Sequence, residues 1–149
     1  MNSIDWRLHT LAPSLRGIER VRCVQVGVGG TGSWVARMMA GVHVARRDAQ
    51  LAGIAFPLWA LGGLPWDLVL VDPDRVEEKN VGRQAFGYDA IGAYKAQVLV
   101  DDLGRTHRLA YEAHCLPFAP AVLRQEPHTL VVLVGCVDNP AARAFPRHV

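Results

Sequence analysis

An α/β fold with a mostly parallel sheet follows from three observations on this chain. A β-branched run, Val21 to Val26, passes directly into Gly27-Val28-Gly29-Gly30-Thr31-Gly32-Ser33 and then into a stretch of helical character. A second apolar run, Leu68 to Val71, ends in an acid, Asp72, the pattern of a parallel strand buried on both faces. Strand and helix signals go on alternating to the far end. Such alternation favours a sheet covered by helices, with ligands gathered beyond the carboxyl ends of its strands.

The elements can be justified in order. Residues 1–20 form an N-terminal segment, and Val21 to Val26 is the first strand. Trp34 to Gly41 has helical character. His43 to Asp67 is a long insertion, punctuated by Gly53, Pro57, Gly62 and Gly63. Leu68 to Asp72 is the second strand, which completes a βαβ unit. Ala90 to Leu103 carries Ile91, Ala93, Val98 and Leu99 at helical spacing, with Asp89 as the expected N-cap and Gly104 as the stop. Leu109 to Leu116 alternates imperfectly as a third strand, and Ala119 to Gln125 reads as a short helix after Pro117. Leu130 to Val134 is a fourth strand leading into Gly135-Cys136-Val137-Asp138-Asn139. Residues 21–149 therefore read as one Rossmann-like, three-layer domain.

Bulk properties narrow the function. Half of the residues are hydrophobic, enough for a real core and against disorder. The 16 basic and 14 acidic residues are mixed along the chain, so no basic stripe points to nucleic acid. The start lacks a sustained apolar core of the secretory kind, and the apolar stretch from Leu51 to Leu64 is broken by glycine and proline, against a membrane span. Cys23, Cys115 and Cys136 lie far apart in apolar runs, which suits small buried hydrophobes in a reducing cytoplasm. No Cys-x-x-Cys pair offers a structural zinc site.

Four strand-end loops carry the chemistry. In Gly27-x-Gly29-x-x-Gly32 the glycines allow a tight turn and close approach to a phosphate, while the helix that follows offers free N–H groups. Asp72-Pro73-Asp74 places a carboxylate where ribose hydroxyls can donate to it, although Asp-Pro is equally ordinary turn chemistry. The Asn80 to Gln84 block, with Arg83 inside it and Lys95 further on, supplies the cationic donors that a triphosphate needs. Asp138-Asn139 offers a hard oxygen ligand for Mg²⁺, or else an N-cap for a helix starting near Pro140.

These blocks resemble the ThiF, MoeB and ubiquitin-activating enzyme family. The resemblance is carried by Gly27-Val-Gly-Gly-Thr-Gly-Ser33, Asp72-x-Asp74-x-Val76 with Asn80-x-x-Arg83-Gln84, Ile91-Gly92-x-x-Lys95-Ala96, and Cys136-Val137-Asp138-Asn139 with Arg143. Val81-Gly82-Arg83-Gln84 and the insertion around His43 to Asp67 look most like the ThiF-related proteins of PRTRC systems. The resemblance implies ATP-dependent adenylation of the C-terminal carboxylate of a ubiquitin-like or sulfur-carrier protein. It places Gly27, Gly29, Gly30 and Gly32 against the nucleotide and Asp72 on the ribose, with Asp74 beside it. Asn80, Arg83 and Lys95 would contact phosphates, Gln84 would support their loop, and Asp138 would be the catalytic acid that organises Mg²⁺. It also implies a homodimer in which an N-terminal arginine, among Arg7, Arg16, Arg20 and Arg22, completes the partner's site.

Family members continue past the Asp-Asn block, so the resemblance also implies a truncated chain with an exposed sheet edge after Leu130 to Val134. No cysteine matches the family's crossover nucleophile. Two other readings remain open at this point. One is an NAD- or FAD-binding oxidoreductase domain, against which Asp72 lies about forty residues after Gly32 rather than about twenty after the motif. The other is a nucleotide-binding module that performs no adenylation.

Overall fold

The computed structural model describes residues 17–52 and 64–138, apart from the side chains at positions 46 and 50. Within them run β1 (Arg20–Val26), α1 (Gly30–Leu51), β2 (Trp66–Val71), α2 (Lys95–His107), β3 (Glu112–His114) and β4 (Thr129–Gly135). Every strand pairing is parallel, and the spatial order is β3-β2-β1-β4. This is the α/β, Rossmann-like arrangement expected from the sequence.

The order of strands fixes where the helices go. From β1 through α1 to β2, and through α2 to β3, the chain steps in one direction, so right-handed crossovers put both helices on one face. That face carries Val21, Cys23, Leu68 and Leu70 against Ala36 and Ala40 of α1 and Ala96, Leu99 and Leu103 of α2. Leu70, Leu99 and Leu103 have no exposed surface, and each such burial contributes roughly 1.5–3 kcal/mol. After β3 the chain doubles back across the opposite face to reach the far side of β1. There Val24, Val69 and Val71 meet Phe118, Val122 and Leu123, so among the described residues the third layer is built on the 3-10 turn Pro120–Leu123. The reversal between β1 and β4 is a topological switch point, where the crevice for a ligand opens in such sheets.

Several expected boundaries move, each for a physical reason. α1 runs through Gly41 to Leu51. One interior glycine costs only about 1 kcal/mol against alanine, and no proline follows before Leu51. The second helix begins at Lys95, not Ala90, with Tyr94 as its N-cap. Asp89 instead sits in the 3-10 turn Tyr88–Ala90. Between turn and helix, Gly92 takes φ +89° and donates its N–H to Val76 O, while Lys95 donates to Asp74 O. Those bonds tie the segment back to the β2 exit and delay the helix. At its other end α2 passes through Gly104 and ends at His107, with Arg108 left-handed at φ 55°. Gly104 serves close packing, since a Cβ there would lie 3.1 Å from Leu109 O. β3 keeps three residues of the expected eight-residue run, Leu109 to Leu116. Residues 53–63 of the insertion lie outside the described residues, as do Arg7, Arg16, Asn139, the helix expected to start near Pro140, and Arg143.

Candidate functional site

The glycine loop leaves β1 between its two neighbouring strands. Gly27 donates its N–H to Val71 O at 2.9 Å, and Cys136 donates to Val26 O at 2.8 Å, so both adjacent strand ends grip the turn. Gly27 has φ +90°, and a Cβ on it would stand 2.8 Å from Cys136 O. A Cβ on Gly32 would stand 2.0 Å from Gly27 O. These two glycines are demanded by backbone approaching backbone. Gly30 has open space and is exposed at the first residue of α1, where N–H groups without intrahelical partners and the helix dipole favour an anion.

Asp72 is 5% exposed and locks the loop to β2. Its Oδ2 accepts the Val28 N–H at 2.7 Å and its Oδ1 accepts the Asp74 N–H at 2.8 Å. The carboxylate therefore acts within the strand-end turn and between loops at once. Asp74 is exposed, and its Oδ2 lies 3.1 Å from Lys95 Nζ, whose side chain is 7% exposed at the first turn of α2. Lys95 stands at the first residue of α2, not inside the helix expected from Ala90 to Leu103, because the helix starts late.

The loop from Asn80 to Gln84 is organised by Asn80, which is buried. Its Oδ1 accepts the Glu77 N–H at 2.8 Å, and its carbonyl accepts from Arg83 at 3.2 Å and Gln84 at 2.9 Å. Arg83 itself is exposed and has no side-chain partner among the described residues. Gln84 is half-buried, and its Nε2 lies 4.0 Å from the point where a side chain on Gly29 would begin. Asp138 is exposed three residues beyond β4; the Cys136–Gly27 contact brings that strand end beside the glycine loop. Among the described residues no three His, Cys, Asp or Glu side chains cluster as a metal cage.

Three residues organise the site without having stood out in sequence as site residues. Gln25 is fully buried on β1, and its Nε2 donates to Gly27 O at 3.0 Å and Gly32 O at 2.7 Å. It holds both ends of the glycine turn. Its one visible signal is a polar residue inside the apolar run Val21 to Val26. Ser33 donates to Gly30 O at 3.2 Å and accepts the Ala85 N–H at 3.1 Å. Arg37 donates to Ala85 O at 3.2 Å.

The three cysteines are free: Cys23 buried, Cys115 and Cys136 half-buried. Burial, with Asp67 nearby, pushes the Cys23 thiol up to about 11, and burial also raises Cys136. Neither is a poised nucleophile. A cavity of about 260 Å³ lies at the other end of the sheet, lined by Arg22, Asp67, Tyr111 and Glu112 among others. It is remote from the strand-end loops. No described helix is long and apolar enough to cross a membrane.

A glycine turn at a switch point, with a strand-end acid and an exposed arginine on the neighbouring loops, marks a Rossmann-like α/β domain. The model of the ThiF family matches residues 4–149, and the chain belongs to that family. Among solved structures, TcdA (CsdL) superposes with a TM-score of 0.57 at 20% identity, over 88% of this chain and 46% of that one. PaaA superposes with a TM-score of 0.51 at 23% identity, over 80% of this chain and 32% of that one. MccB of E. coli, solved with succinimide, gives 0.47 at 22% identity over 70% and 26%. The chain thus spans less than half the length of these relatives. A search of curated proteins returns no match.

Proposed function

We propose that this chain carries the nucleotide half of an ATP-dependent adenylating enzyme. Its acceptor is the C-terminal carboxylate of a ubiquitin-like or sulfur-carrier protein. The observation that carries the reading is the gathering of the glycine turn, Asp72, the Asn80 to Gln84 loop and Lys95 at one edge of the sheet. A dinucleotide fold needs the first two; the cationic loop suits a triphosphate.

In this reading the glycine-loop amides and the start of α1 cradle phosphate oxygens. Asp72 faces the ribose, and Asn80, Arg83 and Lys95 neutralise the phosphate chain. A carboxylate oxygen of the acceptor attacks the α-phosphorus, the bond to the bridging oxygen breaks, and pyrophosphate leaves with the electron pair. Positioning and charge neutralisation supply the catalysis. Asp138 fits Mg²⁺ held mainly by the nucleotide, because that ion takes one or two protein carboxylates and keeps several waters. A cytoplasmic homodimer of the PRTRC-associated type, each subunit lending an arginine to its partner, completes the proposal.

Calorimetric titration of the full chain with ATP and with NAD, with and without Mg²⁺, tests it. Magnesium-dependent ATP binding, weakened by Asp138→Ala and followed by pyrophosphate exchange, is the expected outcome. Preferential NAD binding would assign the site to a dehydrogenase instead, and ATP binding without exchange would make it a non-catalytic module.

A further inference from the structure

The loop that presents Arg83 is fastened to α1 at Ala85. The Ala85 N–H goes to Ser33 Oγ at 3.1 Å, and its carbonyl accepts from Arg37 Nη2 at 3.2 Å. The same Nη2 lies 2.8 Å from Asp102 Oδ2 on α2. Asp102 Oδ1 accepts in turn from Arg105 at 2.9 Å. Although burial pushes the Asp102 carboxyl upward, hydrogen bonds from Arg105 and Arg37 outweigh it and hold the group below the usual range. The guanidinium of Arg37 therefore reaches two elements besides its own: the arginine loop through Ala85, and α2 through Asp102. α1 begins in the glycine turn, and Lys95 opens α2.

Arg83 stands two residues before this fastening, exposed and with no side-chain partner among the described residues, so its direction is inherited from the backbone on either side. On the near side that backbone is held by Asn80, which belongs to the same loop. Beyond Arg83, the hydrogen bonds that tie the loop to α1 are those at Ala85. We propose that Arg37 is a positioning residue for Arg83, setting from α1 the distance between the arginine and the glycine turn. This rests on the adenylation reading above. Were Arg37 merely a surface ion pair, its half-exposed pairing with Asp102 would matter little to either stability or binding.

Arginine suits the task because its rigid, planar guanidinium directs one Nη2 N–H toward each acceptor. Lysine is one bond shorter and has no such plane. Because Arg83 would meet the nucleotide directly, a loop loosened at Ala85 is enough to be read in nucleotide affinity.

The test is a double-mutant cycle on the full chain, measuring Mg²⁺-ATP affinity by calorimetry for wild type, Arg37→Ala, Arg83→Ala and the double variant. Amide hydrogen exchange over residues 80–86 accompanies the first two. Arg37→Ala should weaken ATP about tenfold alone, but by less than about twofold once Arg83 is gone, because groups acting as a unit are not additive. Ala85 should exchange faster in Arg37→Ala, and Arg37→Lys should not restore affinity. An equal loss with and without Arg83 would overturn the proposal, as would unchanged exchange and affinity. Wild-type affinity in Arg83→Ala, with Ala85 still exchanging faster in Arg37→Ala, would instead remove the phosphate role of Arg83 and show that the functional reading, not the fastening, had failed.

Discussion

Gly32→Ala should separate the backbone requirement of the loop from ordinary glycine preference. A Cβ at Gly32 would lie 2.0 Å from Gly27 O, against a floor of 3.0 Å for real Cβ contacts, and 3.1 Å from Cys136 Cβ. Relief requires the helix start and the Gly27 carbonyl to part by about 1 Å. Neither is free to move, because the Gln25 amide donates to both Gly27 O and Gly32 O. Overpacking costs roughly 1–3 kcal/mol, and a buried amide or carbonyl left without its partner costs a similar amount. The sum, roughly 2–6 kcal/mol, is a large share of the roughly 5–15 kcal/mol that holds a domain together. Gly30→Ala is the control: it also lies at the first turn of α1 but meets nothing within 4 Å, and alanine there should be neutral or stabilising by up to about 1 kcal/mol. Urea unfolding of both variants reads the difference directly. Matching midpoints would refute the argument, since they would mean that the turn tolerates a side chain where the backbone contact forbids one.

Two further predictions concern groups outside the loop. Burial raises the Glu112 carboxyl, but hydrogen bonds from Arg22 and His114 outweigh it and hold the group below its usual value. A depressed folded pKa contributes stability above the unfolded value, about 4.3, that is lost as pH falls through the folded one; thermal scans from pH 7 down to 3 should therefore show a smaller loss in Glu112→Gln than in wild type, and an identical loss would count against the pairing. Cys23, buried and pushed up to about 11, should resist a thiol reagent at neutral pH until urea unfolds the chain; labelling at the unfolded rate in the native protein would contradict its burial.

What sequence could reveal was what a residue's immediate neighbours impose. The glycine turn was legible because Gly27 and Gly32 satisfy a requirement of one short turn after one strand, and the strand-end position of Asp72 follows from the apolar run before it. The start of α2 was not legible. Its helical periodicity extends back to Ala90, but the Arg75–Tyr94 bridge and the Gly92 to Val76 bond hold that segment against the β2 exit, and tertiary pairing overrode local propensity. β3 was read as too long for a related reason: alternation continues where the partner strand gives pairing only at Val69 to Val71.

The organising roles of Gln25, Ser33 and Arg37 are not legible in sequence, although Ser33 closes the glycine signature, because their partners are set by the fold. Ser33 and Arg37 meet Ala85 across 52 and 48 residues of sequence, a distance at which no spacing rule operates. Gln25 bonds only two and seven residues away, yet its meaning depends on the turn folding back over β1. The residues that touch a ligand are chosen for chemistry and so repeat as recognisable types. Those that hold them can be any donor of the right reach, and for that reason Arg37 emerges only once α1, the arginine loop and α2 are seen to meet at a single guanidinium.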